Sequence, residues 1–369
     1  MGLDYYVKNL RMSWNISLWG QQLTFGFWMN IVTDKVVNDH PRYQYRQLDN
    51  PNDIRVIELA PGAPNDPLRV RIIHNSHLRT ISEHGHEILE WSVPYDALSY
   101  VWGSGWADMS YILVDDEYSL AILPNLDVAL RRFRSPKEPR ILWVDAICIN
   151  QQSAVEKSTQ VALMLDIYAR AENVQIWLGP ASMNSSIGMQ ALKYLAEKTL
   201  DEPAPWQQRQ DVAFFPALND ILQRDWFHRI WVLQESCVSR KAIMTCGNDS
   251  FQWENDPSQV LKFIRRIKFA AISPQWEQAG LSQVNTDTVI QLLYLQIEHI
   301  ERQRKEILRP SYDILDIAYA SRHRKATDRR DKLFAIMGLV NQRDETFFRP
   351  DYTMNVEEVF KTLLDAIEI

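Results

Sequence analysis

The chain has 369 residues, enough for two ordinary domains or for one large α/β domain with appended helices. Its 46% hydrophobic and 24% charged shares are those of a soluble globular protein, and a net charge of −7 supplies no basic field for nucleic acid. The three cysteines, Cys148, Cys237 and Cys246, leave one unpaired, show no metal-ligand spacing and fit core positions in a reducing cytoplasm.

Residues 1–42 read as an apolar, aromatic leader with a polar linker. Asn15, Gln21, Gln22 and Asn30 interrupt its apolar run, so it neither spans a membrane nor resembles a signal peptide. Tyr6 stands where a myristoylation signal wants Ser or Thr. An amphipathic helix packing on the domain or on a partner is the expectation, with an interfacial membrane helix as the other reading.

Residues 43–250 read as an α/β core. Ile54 to Leu59 and Leu68 to Ile73 alternate around two Pro-containing turns and predict a hairpin. The cluster EHGHE at 83–87 has a lone H-x-H with no distant partner, so no metal site is expected. Ala97 to Val101 predicts a strand opening into a Gly103-Ser104-Gly105 loop, rich in backbone N–H but without Walker or dinucleotide spacing. Tyr111 to Val114 and Tyr118 to Ile122 predict a second hairpin around an acidic turn. Asn125 is expected to cap a helix running to Phe133.

The stretch 141–180 gives the clearest signal. Ile141 to Val144 is a strand. Val161, Met164, Leu165 and Tyr168 make one helical stripe, and Val174 to Leu178 is a second strand. Such a unit joins parallel strands, whose carboxyl ends bind ligands in open α/β sheets. That places Asp145, Cys148, Asn150 and Gln151 at the expected rim. Asp145 is either a functional carboxylate or a cap for the loop that follows.

Asp225 is expected to cap a helix through Cys237, followed by a strand at Ala242 to Cys246. On that helix Trp226, Ile230, Leu233 and Cys237 share the core stripe, while His228, Trp231 and Glu235 fall on nearly the opposite face. This second face suits a carboxylate held in a cleft against an indole, or else a plain solvated surface. Residues 251–369 read as a helical extension, with further helices at Asp313 to Arg322, Asp331 to Val340 and Val356 to Ile369.

Several of these stretches together resemble the heterokaryon incompatibility (HET) domain of filamentous fungi: YDALSYVWG (95–103), LWVDAICINQ (142–151) with its helix to WLGP (177–180), RDWFHRIWVLQE (224–235) and RRDKLFAIMGL (329–339). The trailing PDYTMNVEEVF (350–360) and the leading YRQLDNPNDIRVIEL (45–59) fit the same order. The resemblance implies a role in non-self recognition and programmed cell death. It also implies a distant likeness to TIR domains, hence a flavodoxin-like parallel sheet flanked by helices, here with hairpin insertions. In TIR enzymes a Glu four residues after a Trp serves NAD cleavage, which by resemblance singles out Glu235, with Trp231 beside it. NAD would then be substrate, and no cofactor or metal is required. Ser104, Asp145, Asn150, Gln151 and Arg229 are candidate contacts to ribose or phosphate. Tyr100 and Trp102 could stack on a ring or belong to the core. The alternative function is a non-enzymatic module that signals through a protein partner or by self-association, with the Trp231 face as its surface.

Overall fold

The computed structural model describes residues 40–81, 87–103, 108–197, 202–209, 213–253, 255–305, 314–339 and 349–367. The leader and Ser104 lie outside these, as do residues 83–86 of the His-containing cluster. The alternating runs form strands where expected: β1 (Ile54–Leu59) and β2 (Arg69–Asn75) make an antiparallel hairpin with Ile54 opposite Asn75. A hairpin that the sequence reading missed follows it, β3 (His77–Ile81) with β4 (Glu87–Trp91), as a separate two-stranded sheet.

The remaining strands are β5 (Asp96–Tyr100), β6 (Ser110–Val114), β7 (Tyr118–Ile122), β8 (Arg140–Trp143), β9 (Val174–Trp177), β10 (Ala242–Cys246) and β11 (Asp249–Trp253). With β1 and β2 they form a nine-stranded sheet in the order β11-β10-β9-β5-β8-β1-β2-β6-β7. The β8–β5, β5–β9 and β9–β10 pairs are parallel, whereas β1 runs antiparallel to β8 and β11 antiparallel to β10. The sheet is therefore mixed, a parallel centre of four strands extended by hairpins on both sides. Counted among themselves, the parallel strands lie in the order second, first, third, fourth. β11 begins the region that the sequence marks as helical.

The strand–helix–strand unit forms as its periodicity requires, with β5 lying between β8 and β9 so that the two are parallel but not neighbours. Its helix is two segments, Ala154–Ala162 and Met164–Arg170, and Ser153 caps the first by accepting from the Glu156 N–H at 3.2 Å. Asn125 does not cap its helix, which begins at Pro124 after Leu123. Its amide instead donates to the Val101 carbonyl at 2.6 Å and accepts from Trp177 Nε1 at 3.1 Å, tying the end of β5 to β9.

The largest difference lies at 225–237. A short 3₁₀ turn, Asp225–His228, is followed by extended backbone at Arg229, and a separate α-helix covers Val232–Cys237. The break has a long-range cause: the Ile230 N–H donates to the Lys325 carbonyl at 2.9 Å, and the Lys325 N–H donates to the His228 carbonyl at 2.5 Å. Those two bonds replace a helical turn that local periodicity alone favours. Every residue from Val232 to Cys237 is buried, so the solvated-face reading of Glu235 is overturned. The helix Asp287–Lys305 packs on Val232–Cys237 and on the helix Pro257–Ala271. Among the described residues, no helix is long and apolar enough to cross a membrane.

Candidate functional site

A cleft of about 890 Å³ opens at the carboxyl ends of β5 and β8. That size is ordinary for a small-molecule site. Its walls include Trp102, Asp145, Gln151, Arg229 and Trp231, five of the residues singled out from the sequence. The C-terminal region closes the opposite side, with Lys325, Arg329, Asp328, Asp331 and Tyr352. Cations and carboxylates thus share the lining, which suits a polar ligand carrying both phosphate and sugar hydroxyls.

Asp145 follows Val144, the residue just past the end of β8, and is fixed on several sides. Trp102 Nε1 donates to its Oδ2 at 2.8 Å, the Ala146 N–H donates to its Oδ1 at 2.7 Å, and the Tyr100 hydroxyl bonds to the same carboxyl group. Burial raises its pKa above the ordinary aspartate value, and Arg229 with these donors only partly offsets the rise. A carboxylate held in one orientation with a raised pKa is suited to accepting a proton.

Glu235 stands one layer behind. It is 1% exposed and does not line the cleft. The Ser99 hydroxyl donates to its Oε2 at 2.5 Å, Trp226 Nε1 donates to Ser99 Oγ at 2.7 Å, and Arg229 Nη1 lies 3.4 Å from the carboxylate. Arg229 also donates to the Tyr100 carbonyl. Burial raises the Glu235 pKa against the opposing pull of Arg229 and Ser99. Burial likewise works against the Arg229 charge, but Glu235 and Asp145 flanking it hold the guanidinium protonated above its ordinary range. Glu235 is thus the anchor of the arginine that faces the cleft.

Trp231 donates through Nε1 to Asp331 Oδ2 at 3.1 Å, and the Tyr352 hydroxyl donates to Asp331 Oδ1 at 2.5 Å. The indole lines the cleft and is partly exposed. Gln151 lines the same cleft and donates its amide to the Asp145 carbonyl at 2.9 Å. Asn150 and Tyr100 line a second cleft, which shares Trp102 with the first, whereas Cys148 is fully buried and lines neither. Among the described residues no group of three or more His, Cys, Asp or Glu could hold a metal ion. Residue reading missed Ser99, Trp226, Asp331 and Tyr352 as parts of the site. Each lies within a stretch that carries the family resemblance, which was the available signal.

The fold and the cleft define a mixed α/β domain with its site at parallel strand ends, completed by a C-terminal helical region. The chain is a HET-domain protein: the family model for heterokaryon incompatibility protein (HET) matches residues 95–235. It is similar to heterokaryon incompatibility protein 6, OR allele, of Neurospora crassa, with 30% identity over 327 residues, covering 74% of this chain and 47% of that relative. The chain therefore spans about half the length of the curated relative it matches. No solved structure matches the chain.

Proposed function

We propose that this chain serves fungal non-self recognition as a cell-death signalling domain, and that it does so by hydrolysing the nicotinamide–ribose bond of NAD. The observation that carries the chemistry is the cleft at the ends of β5 and β8, where Asp145 and Arg229 face one another. The order of the four parallel strands supports the TIR-like reading, since it is the beginning of a doubly wound 2-1-3-4-5 sheet.

In the proposed reaction the C1′–N bond breaks and its electron pair returns to the pyridinium nitrogen, releasing neutral nicotinamide. Positive charge develops on the ribose, and Asp145 stabilises it as an adjacent carboxylate. Water forms the new C1′–O bond and gives up one proton, which Asp145 accepts and passes to solvent. Arg229, held by Glu235, binds a phosphate oxygen of the dinucleotide. Glu235 acts as a positioning residue through Arg229.

The test is nicotinamide release from NAD by the concentrated or artificially clustered protein, beside Asp145→Asn and Glu235→Gln. Release by the wild type that disappears in Asp145→Asn supports the reading. No release from the clustered wild type refutes it.

A second reading, signalling by self-association, is favoured by exposed Phe269 (57%) and Ile272 (81%) at the end of the Pro257–Ala271 helix. Sedimentation that stays monomeric as concentration rises would remove it.

A further inference from the structure

A second cleft of about 670 Å³ lies beside the first, and Trp102 and Gln151 line both. Its composition is different. Tyr43, Tyr45, Tyr100 and Trp102 supply aromatic surface, and the amides of Asn150 and Gln151 supply polar edges. Among the described residues no carboxylate lines it, and the cation among them, Arg42, stacks over the Tyr111 ring at 4.5 Å and donates to the Tyr111 hydroxyl at 3.3 Å.

The amides are oriented. Asn150 Oδ1 accepts from the Gln152 N–H at 3.2 Å, which turns its Nδ2 donors outward. Gln151 Nε2 donates to the Asp145 carbonyl at 2.9 Å, which leaves its Oε1 as an acceptor. One donor and one acceptor beside aromatic faces match the edge and faces of a nucleobase. The aromatic faces are themselves braced: Tyr43 meets Tyr45 and Tyr118 edge-on at 5.1 and 6.2 Å, and the Tyr45 hydroxyl donates to the Ile147 carbonyl at 2.9 Å. Tyr100 joins the two clefts, since it is among the residues lining the neutral one while its hydroxyl bonds Asp145 of the charged one.

We propose that the second cleft is a base-binding site for an adenine ring, a planar and uncharged heteroaromatic, belonging to the ligand whose sugar and phosphate occupy the first. The proposal rests on the NAD reading for its choice of ligand. Charge decides which end of the dinucleotide enters. The nicotinamide of NAD is a cation and finds no carboxylate among the described residues here, whereas adenine is neutral and stacks on tyrosine and tryptophan. Much of the site comes from residues 42–45 and from β7, so the lead-in segment and the second hairpin would help to select the substrate.

The test is saturation-transfer NMR on the full chain, with adenosine and N-methylnicotinamide as separate probes. Tyr43→Ala removes a stacking face and Ala121→Phe fills the cleft from β7. The expected result is saturation of the adenine H2 and H8 protons, with adenosine affinity reduced at least about tenfold in both variants at unchanged melting temperature. If Tyr43→Ala fails to fold, Ala121→Phe decides. Absence of adenosine binding to the wild type overturns the proposal, as does affinity unmoved by the folded variants, or loss confined to N-methylnicotinamide. The two readings separate cleanly. Adenosine binding without nicotinamide release keeps this site and removes the hydrolase. Nicotinamide release with a KM unmoved by the variants does the reverse.

Discussion

The Ser99 hydroxyl and the Glu235 carboxylate, 136 residues apart in the chain, meet at 2.5 Å inside the molecule. Ser99 donates its single proton to Glu235 and accepts the Trp226 indole N–H, so the carboxyl end of β5, the 3₁₀ turn and the Val232–Cys237 helix share one buried network. The network ends on Arg229, the first of its members to reach the cleft.

Removing the carboxylate should therefore harm stability before it harms chemistry. Glu235→Ala leaves the Arg229 guanidinium partly buried without its partner and should cost about 3–5 kcal/mol in urea unfolding. Glu235→Gln keeps an acceptor for Ser99 and should cost distinctly less. With Arg229 loosened, nicotinamide release by the folded Gln variant should fall about tenfold to a hundredfold, mainly through KM, and Glu235→Asp should recover part of it. A change in kcat alone would instead place Glu235 at the reacting bond.

Asp145→Asn should separate activity from stability. Loss of a general base lowers the rate by about 10²–10⁴-fold. Burial holds the folded-state pKa of Asp145 above its unfolded value, so the native protein binds the extra proton and stability falls as pH rises from the ordinary carboxylate range through the raised pKa. The neutral amide escapes that loss. The Asn variant should melt above the wild type at neutral pH, and the two curves should converge below the ordinary aspartate range. For the same reason, the acid limb of wild-type kcat/KM should lie above that range.

Much of this arrangement was legible in the sequence because short apolar runs and turn residues are local signals. The 141–180 unit, both expected hairpins and the placement of Asp145 beyond β8 follow from them. The acidic turn even shows its chemistry, since Asp115 and Asp116, the central residues of a turn closed by the Glu117 N–H on the Val114 carbonyl at 3.1 Å, both adopt positive φ. What was not legible depends on distant partners. Trp226, Ile230, Leu233 and Cys237 fit a continuous helix well, yet Lys325 breaks it by bonding backbone groups about a hundred residues away. Asn125 resembles a cap in sequence, but the Val101 carbonyl and Trp177 claim its amide. Helical period cannot report that Asp331 and Tyr352 return to the cleft.

The lead-in segment makes its own contribution through Arg55, which is fully buried on β1. Its Nη1 lies 2.5 Å from Glu156 Oε1, and it also donates to the Cys148 and Arg46 carbonyls at 3.1 and 2.6 Å. Glu156 accepts the Asn150 N–H at 2.7 Å as well, so this pair shapes the loop between Asp145 and the next helix. Glu156→Ala strands a buried cation and should cost about 3–5 kcal/mol by chemical unfolding. The double change Arg55→Met with Glu156→Leu should recover most of that loss, because an apolar pair needs no desolvation. A double variant as unstable as Glu156→Ala would show that the carbonyl contacts matter more than the ion pair.

Tyr352 tests whether the C-terminal region is part of the site wall. Its hydroxyl bonds Asp331, its backbone N–H donates to Ser158 Oγ at 2.8 Å, and the Lys157 ammonium sits over its ring at 3.9 Å. Tyr352→Phe keeps the ring and removes one donor from a carboxylate that is 8% exposed, so it should cost about 1–3 kcal/mol. Burial already raises the Asp331 pKa, while the Tyr352 and Trp231 donors pull it down. Without the hydroxyl the folded-state pKa rises further, and the loss of stability with rising pH extends upward. The gap in melting temperature between variant and wild type should therefore widen as pH rises above the ordinary aspartate range and be smallest at the acid end. A gap independent of pH would mean that Asp331 is protonated in both proteins throughout, and that the hydroxyl contributes only a neutral hydrogen bond.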